Sequence, residues 1–159
     1  MRRAVPDRNT PTAREHPQLE VLPDWPTRTI AVLATVDLGP HAIPISAPVR
    51  AGDRRILLSL RHGRGSLARL RSQSSVALAI LTERNIAFTA HGHARIVRDQ
   101  LAGASDYAAV AIDVEHIDDH RQADFRIESG IDRSWVDGNE QSALARRVES
   151  LRELATTDR

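Results

Sequence analysis

Between Thr29 and Val97 the chain is a succession of short apolar runs divided by turn residues, and the one helical insertion among them spans only residues 66–72. That insertion fixes strand direction. A parallel crossover needs roughly a dozen residues or more, so strands joined through two helical turns or less must lie antiparallel. Residues 29–36 (TIAVLATV) are rich in β-branched side chains and read as a strand, closed by the turn residues Asp37, Gly39 and Pro40. Residues 41–49 follow as a second strand, in which Pro44 and Pro48 cannot donate ladder hydrogen bonds and so predict an edge or a bulge. Ala51, Gly52 and Asp53 turn the chain into a third strand, residues 55–60, completing a meander.

Ser66 can cap the short helix, where Leu67 and Leu70 share a face. Residues 76–81 (VALAIL) are continuously apolar and fit a strand buried on both faces. Residues 85–97 alternate, with Ile86, Phe88, Ala90, Gly92 and Ala94 on one face and Gly92 as the point of bending. Residues 109–117 and 125–136 are further strand candidates. Leu144, Val148, Leu151 and Ala155 recur at i, i+4, i+7 and i+11, an amphipathic helix whose start Asp137 or Asn139 can cap. Its apolar stripe must cover an open barrel end or pack on a partner. The fold class predicted is mainly β: a barrel or sandwich of six to seven antiparallel strands with a short inserted helix and a C-terminal helix. Residues 1–22 read as a flexible, polar leader and residues 23–159 as one domain, the size expected of 159 residues.

Composition excludes several chemistries. Cysteine is absent, which removes disulfides, thiolate metal sites and a cysteine nucleophile. Apart from histidine every basic residue is arginine, so no lysine is present for a Schiff base or a P-loop. A net charge of +1 gives no broad electrostatic case for nucleic acid or an acidic membrane. The twin arginine at Arg2 and Arg3 is followed by no apolar stretch, and no run approaches the roughly 20 residues that span a bilayer. The default location is cytoplasmic.

The densest segment for chemistry is residues 61–71, RHGRGSLARLR, which follows a strand and opens a helix. Backbone N–H groups at a helix start suit a phosphate, and the forks of Arg61, Arg64 and Arg69 strengthen such a grip. The same glycines also suit a plain exposed basic turn. Gly63, Gly65 and Ala68 mimic a dinucleotide fingerprint, but the short helix and the absence of alternating helices reject that fold. His91 and His93 share one strand face, and His116 and His120 flank Asp118 and Asp119. No metal-binding spacing is present, so these histidines read as solvated or hydrogen-bonding groups. No G-x-S-x-G elbow supports a hydrolase triad. Trp25 and Trp135 suit a core, an interface or a planar ligand. Arg126 and Arg133 suit a solvated strand edge or the anionic tail of a ligand.

The order of elements resembles the pyridoxamine 5′-phosphate oxidase-like flavin-binding split barrels, from about Trp25 to Trp135. The resemblance is carried by TIAVLATVDLGPHAIPISAPV, by RILLSLRHGRGSLARLRSQSSVALAIL and by HGHARIV. Gly39, Pro40, His41 and Pro44 match the end of the family's first hairpin. Leu70 matches the leucine of its short helix, and Gly92 a glycine of its long strand. The resemblance implies a homodimer that binds FMN or, in some branches, the 5-deazaflavin coenzyme at the subunit interface. It implies that the backbone of Pro44, Ile45, Ser46 and Ala47 lines the isoalloxazine ring. Ser59, Leu60 and Arg61 would flank the cofactor, and Arg64, Gly65 and Ser66 would hold the phosphate. Trp135 would approach from the other subunit. Where the family often carries a lysine this chain has Ser66, so phosphate charge falls to Arg61, Arg64 or Arg69.

The expectation is an FMN-dependent oxidoreductase of unassigned substrate and catalytic residues. Its alternatives are a deazaflavin-dependent reductase, and a non-catalytic flavin or haem carrier on the same barrel. Haem would require an axial histidine among His91, His93, His116 and His120. A ligand-free barrel serving protein association is the third alternative.

Overall fold

The computed structural model, which describes residues 17–157, is built on one antiparallel sheet of eight strands. In chain order these are β1 (Gln18–Leu19), β2 (Ile30–Val36), β3 (Pro40–Ser46), β4 (Val49–Gly52), β5 (Arg55–Arg61), β6 (Ser75–Thr82), β7 (Ile86–Arg98) and β8 (Tyr107–Asp119). Helix α1 (Ser66–Ser72) lies between β5 and β6, and α2 (Gly138–Thr157) closes the described chain. The spatial order is β3-β2-β6-β7-β8-β5-β4, with β1 pairing the far end of β8. Edges β3 and β4 are not joined by a ladder, so the barrel is split.

The strand expected over residues 41–49 breaks at Ala47. Its φ of 52° lies in the left-handed region, its N–H donates to the Thr29 carbonyl (2.9 Å), and Pro48 has no N–H to continue a ladder. The chain therefore leaves β2, where Ser46 faces Ile30, and joins β5, where Val49 faces Leu57. The expected meander is instead two hairpins joined by a corner.

Alternate residues of the strands fill the interior, among them Leu33, Ile45, Leu58, Leu78, Phe88 and Val110. Each such buried side chain contributes roughly 1.5–3 kcal/mol by leaving water. Trp25 belongs to this core: its ring lies 5.7 Å from Phe88, and its indole N–H donates to the Pro48 carbonyl (2.8 Å). The alternation over β7 holds, with Ile86, Phe88, Ala90, Gly92 and Ala94 buried. A bulge interrupts the β7–β8 ladder between His91 and Gly92. A Cβ on Gly92 would collide with the Asp113 carbonyl, so only glycine allows this backbone approach.

Three expectations are corrected. Strand β6 is buried on one face only: Ala77 and Ala79 are half-buried and Leu81 exposed. An all-apolar run does not reveal which face meets the core, and here the outward residues are mostly small. The strand covered on both faces is β8, with Ala108, Val110 and Ile112 in the interior cluster and Ala109 and Ala111 in the cluster that holds Leu57 and Leu151. Helix α2 thus packs on its own chain, and its backbone starts under Asp137, whose carboxylate accepts the Asn139 N–H (2.8 Å). Residues 125–136 form no strand. They are tied at single points, by the paired bonds between Asn85 and Ile127 (both 2.9 Å) and by Arg133. Finally, the leader expected to reach residue 22 is part of the fold from β1 onward, with Leu22 buried. Residues 1–16 lie outside the described residues.

Across the outer face Asp113 on β8 accepts from Arg55 on β5 (3.2 Å) and Arg95 on β7 (2.7 Å), linking three strands. Burial opposes its ionised form, but the Arg95 hydrogen bond and charge, then those of Arg55, outweigh this and hold the carboxyl below its ordinary value of 3.8. A depressed carboxylate stabilises the fold above its unfolded pKa and loses that contribution as pH falls through the folded value. Asp113→Asn should therefore lower stability at neutral pH and flatten the acid loss below about pH 4, read from urea midpoints across pH. Gly92→Ala should cost about 1–3 kcal/mol by overpacking. Gly39→Ala, with nothing within 4 Å of the added carbon, should shift the midpoint little.

Candidate functional site

The split beside β3 opens a cavity of about 370 Å³. Strand β3 supplies Ile43, Pro44, Ile45 and Ser46, and β5 supplies Ser59, Leu60 and Arg61. Because β3 pairs only with β2, its second backbone edge is open beside this space. Arg64 and Ser66 enter from the loop and from α1, Tyr107 from β8, and Leu144 and Arg147 from α2.

The loop that delivers Arg64 depends on Gly63 (φ 80°) and Gly65 (φ 72°), both in the left-handed region. Gly65 caps α1 without a side-chain hydrogen bond. At seven residues α1 is short, so the positive field here comes from guanidinium groups more than from the helix. Arg69 does not line the cavity; it folds back against Gly65, where an added Cβ would meet its guanidinium at 3.2 Å.

Among the described residues, Arg61, Arg64 and Arg147 form no ion pair with a carboxylate, a property shared by Arg54, Arg69, Arg71, Arg84, Arg98, Arg126, Arg133 and Arg146; what sets these three apart is that they meet at one cavity. Arg147 stands 4.1 Å above the Tyr107 ring, and its Nε is buried with no hydrogen-bond partner. An orphaned buried donor is costly and marks a place where an acceptor is wanted. Sequence reading missed Arg147. The available signal was its position beside the apolar stripe, three residues after Leu144 and one before Val148.

Of the residues singled out from sequence, Pro44, Ile45, Ser46, Ser59, Leu60, Arg61, Arg64 and Ser66 converge on this cavity. Ala47 and Trp135 line a neighbouring one of about 510 Å³, on the other side of Leu144, which walls both. There Arg133 donates to the Ser46 hydroxyl (2.9 Å) and the Arg28 carbonyl (3.1 Å), and lies 5.3 Å from the Trp135 ring. Burial pushes its pKa down from the usual guanidinium value. Arg126 does not line either cavity.

His91, His93 and His116 lie elsewhere, on the outer face of β7 and β8, with His120 just beyond the end of β8. Ser74, His93 and Glu115 form a chain of polar contacts (both 3.1 Å), but His93 and Glu115 are more than half exposed. Water competes for every bond of such a chain, and a hydrolase triad gains no support from it. His91, His116 and Asp118 converge more tightly.

No protein-family model and no curated protein matches the sequence. Solved structures do match. A protein related to general stress protein 26, of the pyridoxinephosphate oxidase family, from Clostridium acetobutylicum superposes with a TM-score of 0.50, at 16% identity over 62% of this chain and 86% of its own. General stress protein 26 from Bacillus anthracis gives 0.49 at 15% identity, over 57% and 82% of the two chains. HupZ from Group A Streptococcus gives 0.49 at 18% identity, over 67% and 90%. The first of these shows the fold, a split barrel shared with the pyridoxine phosphate oxidase family.

Leu144, at the wall of both cavities, packs with Ala47 and Val148. Leu144→Ala should destabilise by about 2–3 kcal/mol in denaturant unfolding, the lower part of the range for buried leucine.

Proposed function

We propose that the cavity beside β3 holds FMN and that the protein is a flavin-dependent oxidoreductase. One observation carries this reading. Arg61, Arg64 and Arg147, none paired with a carboxylate, share a cavity with Ile43, Leu60 and Leu144. Such a lining suits a ligand that is anionic at one end and planar and apolar at the other. The orphaned Arg147 Nε fits a phosphate or ring acceptor in the same way. When bound, the flavin supplies the redox chemistry. The chain's part is to bind and orient. The three guanidiniums fix the phosphate, the open edge of β3 from Pro44 to Ser46 faces the ring, and Leu144 excludes water from one side. No residue at the cavity is assigned as an acid or a base.

The reading includes a homodimer. The outer face of the sheet is apolar where Val32 pairs with Pro44 and Ala79, and Ala34 with Ala42 and Ala77. Val32 is 40% exposed and Leu81 52%, which suits burial against a second copy. Trp135 of that copy would then be available to the ligand.

The test is an absorbance and fluorescence titration of the purified protein with FMN and with riboflavin. FMN should bind saturably and more tightly than riboflavin. Arg64→Ala and Arg147→Ala should each weaken FMN about 10-fold or more, the value of one charge-assisted hydrogen bond. The loaded protein should oxidise a nicotinamide donor, and light scattering should report a dimer. Absence of FMN binding, or binding indifferent to both arginines, sinks the proposal. Binding of the 5-deazaflavin coenzyme or of haem in its place would redirect it.

A further inference from the structure

We propose that His91, His116 and Asp118 form a site for a divalent transition metal, best suited to Zn²⁺, on the outer face of β7 and β8. The inference is independent of the flavin reading and uses none of its residues.

Sheet register makes the cluster. His91 lies directly opposite His116, so the two side chains leave the sheet on the same face. Asp118 is two residues beyond His116 and so also shares that face. The bulge at His91/Gly92 raises the local twist, and Gly92 fixes where it falls. The imidazoles stack with centroids 4.3 Å apart and planes within 11°. His91 Nε2 is 2.8 Å from Asp118 Oδ2, and one ligand atom from each of the three residues lies within 4.8 Å of the others. Around a tetrahedral ion with bonds of about 2.0–2.1 Å, ligand atoms stand about 3.3 Å apart. The exposed His116 closes the difference by turning about its side-chain bonds.

The charge is also right. Asp113 and Asp119, on the same strand, are matched by arginines. Among the described residues no arginine pairs with Asp118; its partner is His91, although the Asp118 side chain is only 17% exposed. A carboxylate so placed has an imidazole beside it and room for a cation between the two. Two nitrogens and one oxygen favour Zn²⁺ and its neighbours over Ca²⁺ or Mg²⁺, which prefer oxygen ligands. The solvent side of His116 leaves a fourth position for water or a further ligand.

The experiment uses untagged protein, stripped with a chelator and titrated with Zn²⁺ by calorimetry and with Co²⁺ by visible absorbance. With no cysteine in the chain, the Co²⁺ bands report nitrogen and oxygen ligation alone. One equivalent should bind. His116→Ala and Asp118→Asn should each weaken it at least about 10-fold, since even outer-shell partners of metal ligands cost that much. His62→Ala, whose ring bonds the Asp99 carbonyl elsewhere, should leave binding unchanged. Zn²⁺ should raise the Tm of the native protein and not that of His116→Ala, with circular dichroism reporting that the variant is folded. No saturable uptake, or uptake equal in the native protein and both cluster variants, overturns the proposal.

Discussion

The close approach of β7 to β8 at Gly92 is the constraint on which the rest of the molecule depends. These two 13-residue strands form the longest ladder in the sheet, and a side chain at residue 92 would drive them apart at the Asp113 carbonyl. The bulge there adds twist, and twist lets an open sheet curl until β3 and β5 flank one cavity. On the outer face the same bulge sets His91 against His116 and places His93 against Asp113. A single missing methyl thus governs the curvature within and the polar surface without.

The second determinant is the corner at Ala47. A left-handed alanine costs about 1–2 kcal/mol relative to ordinary backbone. It is held by its bond to Thr29 and by burial against Leu144 and Val148. The corner sends the chain from one edge of the barrel to the other, so the gap beside β3 is bridged by the covalent chain and not by a ladder. Helix α2 then packs on β4 and β5, and its Leu151 joins Leu57 and the small Ala109 and Ala111 of β8 in one cluster. This packing carries Arg147 to the rim of the cavity. A helix whose stripe reads as generic core therefore also delivers a guanidinium to the candidate site.

Much of this architecture was legible because its signals are local. Helix α1 falls on residues 66–72 as read, since Gly65 before it and the extended Gln73 after it bound the helix. The alternation of β7 and its bend at Gly92 required only the period of a strand. What failed depended on partners remote in sequence. Residues 41–49 carry strand chemistry throughout, and only the exchange of β2 for β5 explains the break. Residues 125–136 alternate well enough, but a strand exists through its neighbours, and the hydrogen bonds of this segment go to single points at Asn85, Arg28 and Ser46 and form no ladder. The loop arginines of the cavity were readable from their glycines. Arg147 and the pairing of His91 with His116 needed the packing of α2 and the register of two strands.

The net charge of +1 hides a separation that the fold creates. Arg61, Arg64 and Arg147 come from a strand, a loop and a helix, and meet at a cavity without carboxylates to match them. On the other face, Asp113 is satisfied by arginines within the sheet, while Asp118 is given a histidine. Charge that is neutralised in place serves the barrel, as the three-strand link through Asp113 does. Charge gathered at one place repels itself, and the buried Arg147 Nε also gives up hydration. On the two proposals made above, each place is met by a ligand of opposite sign. The cavity would take an anion with an apolar body, and the outer face a cation that accepts nitrogen.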